Sequence, residues 1–125
     1  HVILGLPGES KEDMLATCRY LAHSPYRPDG IKLQLLHVLK DTDLYEDYEK
    51  GAFSVLSLEE YLDILTACVM ELPPDMVIHR MTGDGPRALL ADPLWSLDKK
   101  RVLNTINAAF RTGDIYQGKH FTAWS

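Results

Sequence analysis

The chain opens on an apolar triplet, Val2-Ile3-Leu4, that stops at Gly5 and is followed by Leu6-Pro7-Gly8. An apolar run closed by glycine and proline predicts a short buried strand and a tight turn. Ser10 then precedes Glu12 and Asp13, an N-cap and an acidic first turn where the helix dipole favours carboxylates. Met14, Leu15, Cys18, Leu21 and Ala22 recur at helical spacing up to Ser24-Pro25, which predicts a helix over Lys11–His23. In the segment IKLQLLHVL, Ile31, Leu33 and Leu35 alternate with Lys32, Gln34 and Leu36. That alternation predicts a strand over Ile31–Val38 running on to Leu39. Strand, helix and strand in this order make a βαβ unit with parallel neighbours.

The second half repeats the pattern. Leu44 to Lys50 reads as a short helix closed by Gly51, and Ser57-Leu58-Glu59-Glu60 is a capping box. The helix it starts should run over Leu58–Glu71 and end before Pro73-Pro74. MVIHRM predicts a third strand, Met76–Met81, and Ala88 to Ala91 a short apolar turn. With Ser96 as its cap, a last helix is expected over Leu97–Thr112. Without repeats or a linker, residues 1–118 form one unit, and 119–125 read as a disordered tail.

With 125 residues, 46% of them hydrophobic, the chain can bury one modest core. A net charge of −5 argues against a broad nucleic-acid-binding face but leaves room for a local basic patch. No apolar run reaches the ~20 residues that span a bilayer, and no charged-then-apolar leader is present. Cys18 and Cys68 lie far apart in predicted helices, away from other metal ligands, and read as buried hydrophobes of a reducing, cytoplasmic protein.

In parallel α/β sheets ligands gather at the carboxyl ends of the strands. Those ends are Gly5-Leu6-Pro7-Gly8, His37 to Thr42, and Gly83-Asp84-Gly85. Glycine there admits close approach to the backbone, although a plain tight turn would look the same. Lys32 and Gln34 would need partners on an inner face and none on an outer one. His37, His79 and Arg80 sit near strand ends, where they could bind an anion or move a proton. From the residues alone this is an α/β ligand-binding unit.

The ordered set HVILGLPGES, DGIKLQLLHVLKDTDLYEDYEKG, LSLEEYLDIL, LPPDMVIHRMTGDGP, PLWSLDKKRVLNTI and YQGK goes further. Together these phrases resemble the carboxyl-terminal part of radical S-adenosylmethionine (SAM) enzymes. The resemblance is to bacterial iron–sulfur oxidoreductases related to the Elongator catalytic subunit and to oxygen-independent coproporphyrinogen oxidase. It implies an α/β fold, the C-terminal portion of a partial (β/α)6 TIM-type barrel with a helical C-terminal extension. It also implies a full-length enzyme that uses a [4Fe–4S] cluster to cleave SAM to a 5′-deoxyadenosyl radical, with a tRNA base as the substrate suggested by the Elongator relationship. The family's Cys-x3-Cys-x2-Cys loop is absent, so no tightly bound cofactor and no activity are expected of this stretch alone.

Against the family's fifth-strand motif, G-x-I-x-G-x-x-E, Ile3 and Gly5 match, His1 replaces the first glycine, and the acid comes one place late at Glu9. Asp41-Thr42-Asp43-Leu44 fits the sixth-strand Gly-Thr-x-Leu loop, with Asp for Gly. The resemblance therefore puts Gly5, Leu6, Pro7, Leu39 and Thr42 beside SAM. Lys32, Gln34, His37, His79, Arg80, Gly83 and Asp84 would face the substrate. A barrel beginning at its fifth strand leaves the outer edge of Val2–Leu4 unpaired, and self-association of the isolated chain is expected. The alternative is a non-catalytic α/β ligand-binding or interaction domain.

Overall fold

The fold was described from a computed structural model, which defines residues 2–24, 29–40, 42–81 and 90–121, with the side chain of Arg80 outside that set. The first ten residues behave as their pattern dictates. Strand β1 (Val2–Leu4) ends at Gly5, whose φ of +99° is open to glycine at little cost. Helix α1 (Lys11–His23) starts in a reciprocal capping box: Asp13 N–H donates to Ser10 Oγ at 3.2 Å, and Ser10 N–H to Asp13 Oδ2 at 2.9 Å.

Strand β2 (Gly30–Leu35) is shorter than its alternation suggests. Leu36 N–H still bonds Leu4 O at 2.9 Å, but the chain then leaves the sheet. Val38–Leu39 form a separate strand, β3, antiparallel to β5 (Leu90–Asp92). The single strand over Ile31–Val38 is thus two, because Val38 and Leu39 pair with a segment the apolar pattern assigned to a turn. Between them in sequence lie helix α2 (Asp43–Glu49), helix α3 (Leu58–Glu71) and strand β4 (Val77–Arg80).

The main sheet has three parallel strands in the order β1-β2-β4. Leu4, Leu33, Cys18, Leu65, Cys68 and Tyr61 are fully buried between its inner face, α1 and α3. Burying a side chain of leucine size contributes about 1.5–3 kcal/mol, so this layer holds the fold. The ion pairs Lys11–Asp63 (2.9 Å) and Arg19–Glu71 (3.1 Å) join α1 to α3 at the surface and add little.

The last helix, α4 (Lys99–Thr112), begins later than expected. Leu94–Leu97 is a 3-10 turn, and Asp98 rather than Ser96 caps α4, accepting Arg101 N–H at 3.1 Å. The Ser96 hydroxyl is committed elsewhere, donating to Pro93 O at 3.0 Å. Residues 119–121, assigned by pattern to the tail, are tied to the fold. His120 N–H bonds Met70 O at 2.9 Å, and Phe121 stacks on His23 with centroids 5.2 Å apart. Gly118 N–H adds to Val69 O at 3.2 Å, which already accepts Leu72 N–H, while His120 takes the Met70 carbonyl near the end of α3.

Candidate functional site: the open face of the parallel sheet

Alternation along β2 divides its side chains between two environments. Ile31, Leu33 and Leu35 enter the core, while Lys32 and Gln34 stay half-buried on the other face. Register places Ile3 opposite Gln34, and Ile3 keeps 40% of its surface exposed. Val77 in β4 is 53% exposed, and the His79 ring stands over Gly30. A Cβ at Gly30 would come within 2.7 Å of His79 Cδ2, so glycine at this position leaves room for the imidazole in its present rotamer. Parallel sheets normally have both faces covered. A parallel sheet with one packed face and one face of lysine, glutamine and histidine has the character of a barrel wall seen from inside.

The carboxyl-terminal rim is built by a second layer. Trp95 Nε1–H donates to Leu56 O at 3.2 Å, and Leu56 packs against the turn at Gly5, its Cδ1 3.1 Å from where a Cβ would sit. Tyr61 O–H donates to Met81 O at 2.6 Å, its ring centroid 5.8 Å from that of Trp95; burial pushes its phenol far above the ordinary range. His37 Nε2 lies 3.1 Å from Ser96 Oγ. The two groups share a hydrogen bond in which the His37 tautomer sets the donor, and Ser96 Oγ also reaches Pro93 O at 3.0 Å. Tyr48 O–H donates to Asp92 Oδ2 at 2.7 Å, which joins α2 to β5 and raises the phenol's pKa.

The structure thus sorts the residues singled out from sequence. Lys32, Gln34 and His79 share the open face, with the Arg80 backbone paired opposite Lys32. Gly5, Leu6 and Pro7 form the turn at the end of β1, and Leu6 is 37% exposed. His37 sits on the rim beside Ser96. Leu39 and Thr42 are bound to each other, Thr42 Oγ1–H to Leu39 O at 2.7 Å, where the chain turns from β3 into α2. Gly83 and Asp84 lie outside the described residues, as do His1 and Asp41. Sequence reasoning missed Gly30, Leu56, Tyr61, Trp95 and Ser96. Only the Asp29-Gly30 pair ahead of the strand carried a local signal, since the others act through contacts distant in sequence.

Cys18 and Cys68 meet inside the α1–α3 interface, and their mutual hydrogen bond, then burial, holds the Cys68 thiol well above its ordinary range. Among the described residues no three His, Cys, Asp or Glu side chains converge on a metal position. A [4Fe–4S] cluster does not fit these residues. Among the same residues no helix is long and apolar enough to cross a membrane.

Comparison with known proteins gives this geometry a family. The radical SAM C-terminal domain matches residues 28–112. YtqA of Bacillus subtilis is 40% identical over 121 residues, 97% of this chain and 37% of that protein. A Methanocaldococcus jannaschii protein is 32% identical over 122 residues, again 97% of this chain and 37% of its own length. Human Elongator complex protein 3 is 26% identical over 92 residues, 73% of this chain and 17% of that protein. In fold, the chain matches archaeal Elp3 from Methanocaldococcus infernus with a TM-score of 0.78 over 92% of its length and 26% of that chain, at 21% identity. The chain therefore spans 37% of the length of the Bacillus and Methanocaldococcus jannaschii relatives. Full-length members of this family use SAM and a [4Fe–4S] cluster. The α/β fold, the matched domain and the Elp3-like architecture place this chain in the radical SAM superfamily, as a C-terminal part of such a protein.

Proposed function

We propose that this chain is the substrate-side wall of a radical SAM oxidoreductase that reductively cleaves SAM and modifies a tRNA base. The observation that carries the reading is the open face of the parallel sheet, where Lys32, Gln34 and His79 stand together. Lysine and glutamine on a barrel's inner face lose solvation, which a substrate's acceptors and donors replace. The Lys32 ammonium suits a phosphate or carbonyl oxygen, and Gln34 offers both a donor and an acceptor to a base edge. Gly5, Leu6 and Pro7, with Leu39 and Thr42, form the SAM-side rim in this reading. His37, which hydrogen-bonds Ser96, lies at the substrate entrance in this reading. When bound, the cluster supplies the electron for SAM cleavage, and it is held by a part of the protein other than these residues.

The test uses the whole protein, reconstituted with iron and sulfide and given SAM and a strong reductant. It should release 5′-deoxyadenosine and methionine. Lys32→Met and Gln34→Leu should keep this basal cleavage while losing the increase that added bulk tRNA elicits. A reconstituted protein with full cluster absorbance and no 5′-deoxyadenosine would overturn the reading and leave a ligand-binding or interaction domain in its place.

A further inference from the structure

The charge of this chain is unevenly distributed. Helix α4 carries four of the thirteen cations, Lys99, Lys100, Arg101 and Arg111, and none of the eighteen acids. The remaining residues hold nine cations against those eighteen acids. Three consecutive cations open α4, at the end where the helix dipole disfavours positive charge. At Lys100 and Arg101 this runs against the local rule, a departure expected at functional positions. Lys100 and Arg101 are exposed and make no ion pair with a described carboxylate. Val102 and Ile106 anchor the opposite side of the helix in the core.

These cations border a shallow groove of about 500 Å³ lined by Asp98, Lys100, Arg101, Asn104, Thr105 and Ala108. Helical spacing brings Arg111 onto the same stripe, so the cationic track runs about 16 Å at 1.5 Å per residue. Between the cations the groove offers acceptors. The Thr105 hydroxyl proton is held by Arg101 O at 2.7 Å, which leaves its oxygen able to accept, and Asn104 brings an amide. Cations for phosphate oxygens, interleaved with acceptors for a hydroxyl, match a ribose-phosphate backbone better than a deoxyribose one.

We propose that the exposed face of α4 is an RNA-docking surface, on which Lys100, Arg101 and Arg111 neutralise backbone phosphates while Thr105 and Asn104 meet 2′-hydroxyls. The choice of RNA among polyanions rests on the tRNA reading above. The surface lies apart from the open sheet face and serves to hold the body of the substrate while one base is processed.

The experiment measures binding alone, so it is separate from SAM cleavage. A fluorescein-labelled tRNA transcript is titrated with the whole protein across a salt series, with single-stranded DNA of equal length and polyglutamate as competitors. Lys100→Gln/Arg101→Gln should weaken tRNA binding at least about tenfold at 0.1 M salt and flatten the log–log salt slope by about 1.5–2. Lys50→Gln/Lys119→Gln, which removes the same charge elsewhere, should change affinity less than twofold. The α4 variant sheds charge at a disfavoured position, so its melting temperature should hold or rise, and that measurement verifies folding. Equal losses in the two double variants would overturn the proposal in favour of a diffuse field. Polyglutamate or DNA competing as well as tRNA would overturn it in favour of another polyanion. Normal 5′-deoxyadenosine formation with no tRNA affinity would sink this surface and leave the radical SAM reading intact.

Discussion

Gly5→Ala should destabilise the chain through Leu56, and Gly8→Ala provides the control. Both glycines have positive φ, +99° and +83°, so an alanine at either position carries a backbone cost of about 1–2 kcal/mol. Reduced freedom of the unfolded chain returns about 0.4–1 kcal/mol to each variant. The two sites differ in what the new methyl meets. At Gly8 nothing lies within 4 Å, whereas at Gly5 Leu56 Cδ1 is 3.1 Å away and Leu36 Cβ 3.7 Å. Crowding Leu56 adds about 1 kcal/mol, the low end for overpacking, because Leu56 is only partly buried. The entropy of unfolding scales with length, so at this size 1 kcal/mol moves the melting temperature by about 4 °C. Gly5→Ala should therefore melt about 4–10 °C below the parent and about 4 °C below Gly8→Ala, followed by circular dichroism. Adding Leu56→Ala to Gly5→Ala should show favourable coupling in a double-mutant cycle. Equal melting temperatures for the two glycine variants would refute the packing argument. So would a Gly5→Ala whole protein that melts normally yet loses 5′-deoxyadenosine, because the glycine would then serve the cofactor and not Leu56.

Three further outcomes are expected. The Tyr48–Asp92 hydrogen bond raises the Tyr48 phenol above its ordinary 10.0, so its contribution is present below pH 10 and fades as pH rises through the higher folded value. The stability gap between parent and Tyr48→Phe should stay flat in neutral solution and close only in strong alkali; a gap that widens with pH would contradict it. Cys18 and Cys68 are both fully buried, so a thiol reagent should label neither in the native chain and both after denaturation; rapid native labelling would show that the α1–α3 interface opens. β1 occupies the sheet edge beside a groove of about 480 Å³ lined by Val2, Ile3, Leu6 and Tyr20 among others. The isolated chain should self-associate there, and Ile3→Lys should reduce the effect in light scattering; a clean monomer at high concentration would rule it out.

Elements set by local chemistry were readable from the sequence. α1 and α3 occupy the expected residues because each begins in a serine capping box and ends before proline or a serine-proline pair. Where distant partners decide, the local pattern failed. The IKLQLLHVL alternation looks like one strand, but Val38 and Leu39 find their hydrogen bonds in β5, about fifty residues later. Ser96 has the chemistry of a cap, yet a cap works only where its hydroxyl is available. Here it is bound to Pro93 O and to His37, so Asp98 takes over two residues later.

The candidate site was legible in part for a related reason. Period-two alternation tells which residues share a face, so Lys32 and Gln34 could be grouped before any fold was known. It cannot tell whether that face meets water, a helix or a ligand. The answer comes from the neighbours: Ile3 aligned with Gln34, and His79 folded over Gly30 from a strand more than forty residues away. An uncovered polar face on a parallel sheet is one that something else must complete.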